Sequence, residues 1–321
     1  NKFTRNTFPQ KKIIHSKLIE QLRYGENPHQ KSSIYSFGNS LKLKQLNGKQ
    51  LSHNNFNDIY AALTISKSLP INKGIVIVKH ANPCGVSIIS NKIKCYKSAL
   101  ACDPISAFGG IVSCNFKINT ELALELNKIF FEVIIANGFE KKALKILKKK
   151  KNLRLIDAST FSLNEKFKIN SFNNAILLQE EDQMKFKRSE FKVVSKIKPN
   201  SQQMKNLIFA FNICRYVKSN AIVLAHNEST VGIGSGQPSR VDSCKIAIEK
   251  MKKFKQFSNN HPLVAASDAF FPFIDGIEKL VQAGVTAIIQ PFGSIRDREV
   301  IKYANDMNIV LVFSKTRHFN H

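Results

Sequence analysis

The sequence predicts an α/β protein built from two copies of one unit. Three observations carry that expectation. Helical stretches with one apolar stripe alternate with short, almost wholly apolar strand stretches, as expected for helices laid on a buried sheet. The stretches "GIVIVKHANPCGVSI" and "NAIVLAHNESTVGIG" both read as strand, histidine, polar turn and second strand. Finally, 321 residues with 43% hydrophobic side chains, 24 Phe and no Trp supply ample core. That length suits two domains of roughly 150 residues each.

Taken in order, residues 50–69, "QLSHNNFNDIYAALTISKSL", place Phe56, Ile59, Tyr60 and Leu63 at i, i+3, i+4 and i+7, an amphipathic helix that Pro70 stops. The apolar run 74–78 follows as a strand and delivers Lys79 and His80 side by side to its end. Any strand end is polar for solvation alone. An ammonium and an imidazole fixed together on a rigid strand end also make a proton-transfer site. In "SAFGGIVSCN" the Gly109-Gly110 pair precedes another β-branched run, and 120–136 passes from helix into strand at 132–136. "KKALKILKKKK" sets Ala143, Ile146 and Leu147 at helical spacing, which reads as a solvated helix face rather than a binding stripe. Residues 180–202 are charged and lose the long apolar runs, so the boundary between units is expected near them. A helix over 203–218 with Leu207, Ile208 and Phe211 inward, then "NAIVLAH" and "GIGSGQPSR", restart the pattern. Asp103 in "ACDPISAFGGIVS" and Asp268 in "ASDAFFPF" read as matching turn residues of the two copies.

The formal charge of +26 suits nucleic acid, a membrane surface or an anionic substrate, and equally a lysine-rich composition from A- and T-rich codons. No apolar run approaches the ~18 residues of a membrane span, and no signal-peptide block opens the chain. A soluble cytoplasmic protein is expected. The first residue is Asn1 rather than Met, as in a chain that continues from something upstream. The six cysteines, Cys84, Cys95, Cys102, Cys114, Cys214 and Cys244, form no CxxC pair and read as reduced thiols.

Three fragments offer other chemistry. "HNE" at His226, Asn227 and Glu228 matches half of a zinc deaminase signature, but Cys244 lacks the proline and second cysteine, and "PCGVS" has Ser87 where a second thiolate belongs. "GIGSGQPSR" brings three alternate glycines, Asn220 just before and Arg240 just after. It reads as an anion pocket or as a tight strand-to-helix turn. "RYGENPHQ" is similar, a phosphate clamp with a stacking ring or a decorated loop. A basic nucleic-acid-binding protein is the other competing class, and the chain lacks the aromatic-plus-basic motifs of RNA-binding modules.

Together, "LRYGENPHQ", "LSHNNFND", "VKHANPCG", "DPISAFGG", "KSNAIVLA", "GIGSGQPSRVDS", "SDAFFPF", "AGVTAIIQP" and "RHFNH" resemble the AICAR transformylase portion of the bifunctional AICAR transformylase/IMP cyclohydrolase family of purine biosynthesis, from about Arg23 onward. The resemblance implies two tandem cytidine deaminase-like three-layer α/β/α units without zinc, over 23–190 and 191–321. It makes 1–22 the remnant of a linker from a missing N-terminal cyclohydrolase domain. It implies formyl transfer from 10-formyltetrahydrofolate to the 5-amino group of AICAR, a homodimer with shared active sites, no nucleic acid or membrane partner, no metal at the site, and room for a monovalent cation. Carried over by position, His80 is the proton-transfer base, Lys79 the cation facing the developing charge, and His321 the last histidine of the family's carboxyl end. The AICAR positions fall on Arg23, Tyr24, Gly109, Glu132, Asn220 and Arg240. The folate positions fall on Val241, Phe270, Asp275, Ser294 and Arg317. "FIDG" and "RHFNH" depart from the commonest family forms.

Overall fold

The structure, a computed structural model, describes residues 8–38, 40–163, 167–254 and 262–321. Residues 1–7 of the expected linker segment lie outside the described residues. In chain order the elements begin with β1 (Lys17–Leu22), β2 (Ser32–Ser36), β3 (Lys44–Asn47), α1 (His53–Ser68), β4 (Ile75–Lys79), β5 (Asn82–Ser87), α2 (Lys92–Cys102), α3 (Pro104–Ala107), β6 (Ile111–Cys114), α4 (Thr120–Asn127), β7 (Val133–Ala136), α5 (Lys141–Leu147) and β8 (Arg154–Asp157). After β9 (Phe167–Phe172) and β10 (Ala175–Glu180) come β11 (Phe191–Val193), α6 (Ser201–Cys214), β12 (Ile222–His226), β13 (Ser229–Gly234), α7 (Arg240–Lys253), β14 (Val264–Ser267), α8 (Asp275–Gln282), β15 (Ala287–Pro291), α9 (Asp297–Asp306) and β16 (Val310–Ser314).

Twelve strands form one mixed sheet in the order β11-β16-β15-β14-β12-β13-β5-β4-β6-β7-β8-β3, while β1-β2 and β9-β10 are separate antiparallel hairpins. Outward from the centre, β5-β4-β6-β7-β8-β3 and β13-β12-β14-β15-β16-β11 repeat one another. In each half the inner hairpin is antiparallel, the next pair antiparallel, two pairs parallel and the edge pair antiparallel. The halves meet antiparallel at Ser87 and Ser229. Their hydroxyls lie 2.8 Å apart, and the Thr230 hydroxyl accepts from the Val86 amide at 2.9 Å.

Both sheet faces are covered, which is why the inner strands are apolar at successive positions rather than alternating. In β4, Val76 and Val78 join a cluster that includes Ile59 and Leu63 of α1 and Leu207 and Phe211 of α6. Ile75 and Ile77 face the opposite cluster with α2, α4 and α5. In β12, Val223 and Ala225 take the shared side, and Ile222 and Leu224 face α7, α8 and α9. The result is three layers, helix, sheet, helix. Ser52 and Asn200 start α1 and α6 with capping boxes closed by Asn55 and Gln203.

Three sequence expectations change. Tyr60 leaves the stripe of α1, being 40% exposed; the buried face runs Asn55, Ile59, Ala62, Leu63 and Ser66, because a helix lying flat on a sheet buries i, i+4, i+7, i+8. Asp103 and Asp268 are not counterparts. Asp103 follows α2, whereas Asp268 follows β14 and accepts from the Ala221 amide that precedes β12. Its counterpart is Asn115, which follows β6 and accepts from the Gly74 amide that precedes β4. Finally, the first two glycines of "GIGSGQPSR" serve packing. A Cβ on Gly232 would sit 2.1 Å from the Ala247 carbonyl oxygen and one on Gly234 1.9 Å from that of Ser243, so α7 lies against bare backbone. Gly85 allows the same approach of Ala99 in the first half, at 1.8 Å.

Candidate functional site

Two apolar strands joined by a two-residue turn need a type I′ or II′ geometry to match their twist. Between β4 and β5 that turn is His80-Ala81, with φ +52° and +57°. Neither residue is the Asn or Gly that adopts these angles cheaply, and each costs on the order of 1–3 kcal/mol there. The turn is strapped by Asp58 of α1, whose Oδ1 accepts from the Ala81 amide at 2.6 Å and Oδ2 from the His80 amide at 3.3 Å. Burial pushes the Asp58 carboxyl above its usual range, against the two amides and the His80 charge that pull it down. His80 is exposed on the turn; Lys79, half-buried, donates from Nζ to the Phe108 carbonyl at 2.9 Å.

The strands beside β4 bring more groups to this end. β6 is antiparallel to β4 and β7 parallel to β6, so both begin where β4 ends. Gly109, at φ +72°, lies just before β6, and Glu132 just before β7. Glu132 accepts from Asn55 Nδ2 at 2.8 Å and lies 3.8 Å from Arg154. The Arg23-Tyr24 loop docks on the start of α1: Asn54 donates to the Glu26 carbonyl at 3.2 Å, and the Ser32 hydroxyl meets His53 Nδ1 at 2.8 Å. The Arg23 guanidinium lies 5.5 Å from the Tyr24 ring centre.

The second half sends different parts to the same end of the sheet. Because β13 runs against β5, the start of β12 and the ends of β14, β15 and β16 lie on the His80 side, and the Asn227-Glu228 turn lies on the far side. Arg240 opens α7, buried. It donates to Ser267 Oγ at 2.8 Å, to Asn220 Oδ1 at 2.7 Å and to the Asp268 carboxylate. Asn220 spends its own amide on the Gln237 and Pro238 carbonyls, both at 2.9 Å. Val241 and Phe270 are half-buried nearby in sequence, Asp275 is exposed at the start of α8, and Ser294 accepts from the Arg296 amide at 3.1 Å beyond β15. The C-terminal tail folds back, with Asn320 exchanging bonds with Ser219 at 2.9 and 3.0 Å. Arg317 is exposed and lies 4.8 Å from the Phe319 ring centre, which is 5.4 Å from that of His321. Lys218 joins the two halves: its amide donates to Asn82 Oδ1 at 3.1 Å, and its ammonium to the His321 carbonyl at 2.7 Å.

All fourteen sequence candidates therefore line one end of the sheet, in two groups. Arg23, Tyr24, Lys79, His80, Gly109 and Glu132 gather around β4, β6 and β7. The other eight belong to the second half: Asn220 precedes β12, Arg240 and Val241 open α7, which packs on β13 beside β5, and Phe270, Asp275, Ser294, Arg317 and His321 come after β14, β15 and β16. Sequence reading misses Asp58, Asn55, Arg154 and Lys218, and gives Asp268 only as a turn residue. The polar pair Asn55 and Asp58, at i and i+3 on the inward face of an otherwise apolar helix, was the available signal.

The thiols are packing groups. Burial pushes Cys95 up to about 11, and Cys84, Cys102 and Cys244 to about 12, so none offers a thiolate nucleophile near neutral pH. Among the described residues no group of three or more His, Cys, Asp or Glu could hold a metal ion, and no helix is long and apolar enough to cross a membrane.

Residues 1–250 match the AICARFT/IMPCHase bienzyme family. The chain belongs to that family. It is 43% identical over 328 residues to the bifunctional purine biosynthesis protein PurH of Rhodospirillum rubrum, covering 98% of this chain and 61% of the relative. To the PurH of Aquifex aeolicus it is 42% identical, covering 98% and 62%, and to that of Bacillus cereus strain AH187 it is 44% identical, covering 94% and 59%. The chain spans about three fifths of the length of these curated relatives. For a member of the AICARFT/IMPCHase family the matched segment includes the whole Lys79-His80 hairpin and the Asn220-Arg240 pair.

Proposed function

We propose that this chain transfers the formyl group of 10-formyltetrahydrofolate to the 5-amino group of AICAR, giving formyl-AICAR and tetrahydrofolate, a step of purine biosynthesis. The observation that carries the reading is the strapped His80-Ala81 turn with Lys79 beside it. The AICAR amine is an aromatic amine conjugated with a carboxamide and is a poor nucleophile. As it attacks the formyl carbon, His80 takes the proton the amine loses, and the Lys79 ammonium balances the charge developing on the formyl oxygen. Collapse breaks the bond to N10, which leaves with that proton as tetrahydrofolate. His321, whose backbone carbonyl accepts from the Lys218 ammonium, is in this reading a second group for proton movement.

In this reading Arg23, Tyr24, Gly109, Glu132, Asn220 and Arg240 serve the nucleotide, and Val241, Phe270, Asp275, Ser294 and Arg317 the folate. Each sheet half is a cytidine deaminase-like unit that works without zinc, and the setting is cytoplasmic. The assay mixes the chain with both substrates and follows formyl-AICAR. Product is expected only when AICAR and the folate are both present, and unchanged by a chelator; no product, or product lost on chelation, contradicts the reading.

The exposed aromatic side chains around the candidate residues favour a homodimer in which one protomer's hairpin meets the partner's strand ends. Phe108, Phe130, Phe273, Phe292 and Phe319, each 43–59% exposed, supply apolar area for such a contact. Light scattering on the active protein is expected to give twice the chain mass. A fully active monomer contradicts it.

A further inference from the structure

The two hairpins at the heart of the sheet have one backbone but two different straps. His80-Ala81 and Asn227-Glu228 both take positive φ at both turn residues. Each turn is tied to the helix of its own half at the same place: Asp58 is the sixth residue of α1, and Asn206 the sixth of α6. Asn206 Oδ1 accepts the Glu228 amide at 2.9 Å. Asp58 accepts two amides, one through each oxygen. An amide side chain has one acceptor oxygen and cannot do that. The doubly held turn is the one that carries the Lys79-His80 pair; the singly held turn lies at the far end of the sheet. His80 and Ala81 lack the asparagine that eases the second turn, so the carboxylate has more strain to offset, and in offsetting it through both amides it fixes where His80 stands relative to Lys79.

The geometry points to Asp58 as a positioning residue for proton transfer, acting through the backbone of the His80-Ala81 turn rather than on substrate. The inference rests on the formyl-transfer reading above. It assigns Asp58 no contact with AICAR or the folate, so its loss costs turnover and spares substrate binding.

The test compares kcat, KM for AICAR and melting temperature of the full chain carrying Asp58→Ala, Asp58→Asn, His80→Ala, Asp58→Ala with His80→Ala, and Asn206→Ala. Asp58→Ala is expected to lower kcat at least tenfold, and no further than His80→Ala, with KM within about threefold of the parent. Asp58→Asn, which keeps one strap bond and matches the second hairpin, falls between the two and carries the test if Asp58→Ala does not fold. The double variant is expected to turn over no more slowly than His80→Ala, since there is no imidazole left to misplace. Asn206→Ala loses melting temperature and keeps kcat. Parental kcat in both Asp58 variants while His80→Ala is crippled overturns the inference, as does a double variant whose loss is the product of the single losses. Parental kcat in His80→Ala overturns the catalytic reading itself, and this inference with it.

Discussion

His80→Ala folds, binds AICAR and loses at least ~100-fold in turnover, the lower end of what a positioned proton-transfer group contributes. The side chain is exposed on a surface turn, so its removal opens no cavity. Alanine meets the same positive φ that histidine already tolerates, which keeps the stability change small. Lys79→Ala is expected to lose as much or more, because an unbalanced oxyanion costs about 2.7–4 kcal/mol at comparable sites. It also frees the Phe108 carbonyl, a bond at the surface that water replaces. Turnover measured beside melting temperature separates this from an ordinary polar strand end, for which both variants would work within a few-fold of the parent.

The largest expected stability loss belongs to Arg240→Ala. Asp268 is fully buried; its carboxylate accepts from Arg240, from the Ser219 hydroxyl at 2.7 Å and from the Ala221 amide at 3.1 Å. Removing the guanidinium leaves a buried charge without its counter-ion, which costs about 3–5 kcal/mol. The damage should spread to the rim, since Asp268 also accepts the His318 amide on its backbone oxygen at 2.9 Å and so fixes the tail. Urea denaturation is the measurement. The double variant Arg240→Ala with Asp268→Asn is expected to recover part of the loss, because the neutral amide needs no counter-ion. A single variant as stable as the parent, or a double variant no better than the single, argues against a buried ion pair as the keystone of this half.

What could be read from the sequence follows from burial. β4 and β12 are legible because each is sandwiched, so four or more apolar residues run together and the switch to Lys79-His80 stands out. The seam between halves is not legible, since Ser87, Ser229 and Thr230 join it through hydroxyls, and such residues read as turn or surface. Tyr60 departs from the expected stripe because a stripe at i, i+3, i+4 fits two neighbouring faces, and only the sheet chooses between them. Asp58 is not legible for a related reason: an inward polar residue in an amphipathic helix shows its partner only once β4 and β5 are folded. The internal repeat was legible, but its functional asymmetry was not. Two antiparallel copies joined at β5 and β13 present opposite ends to the same side, so one half contributes its hairpin and the other its strand ends.

The most direct test of that asymmetry sets His80→Ala beside Asn227→Ala, the corresponding turn position in the second half, and measures AICAR-dependent release of tetrahydrofolate. Both substitutions place alanine at a positive φ, and asparagine favours that angle, so the second variant is expected to lose the more stability of the two. The account predicts a loss of at least ~100-fold for His80→Ala and parental release for Asn227→Ala. Equal losses in the two variants, or parental release from His80→Ala, would contradict it.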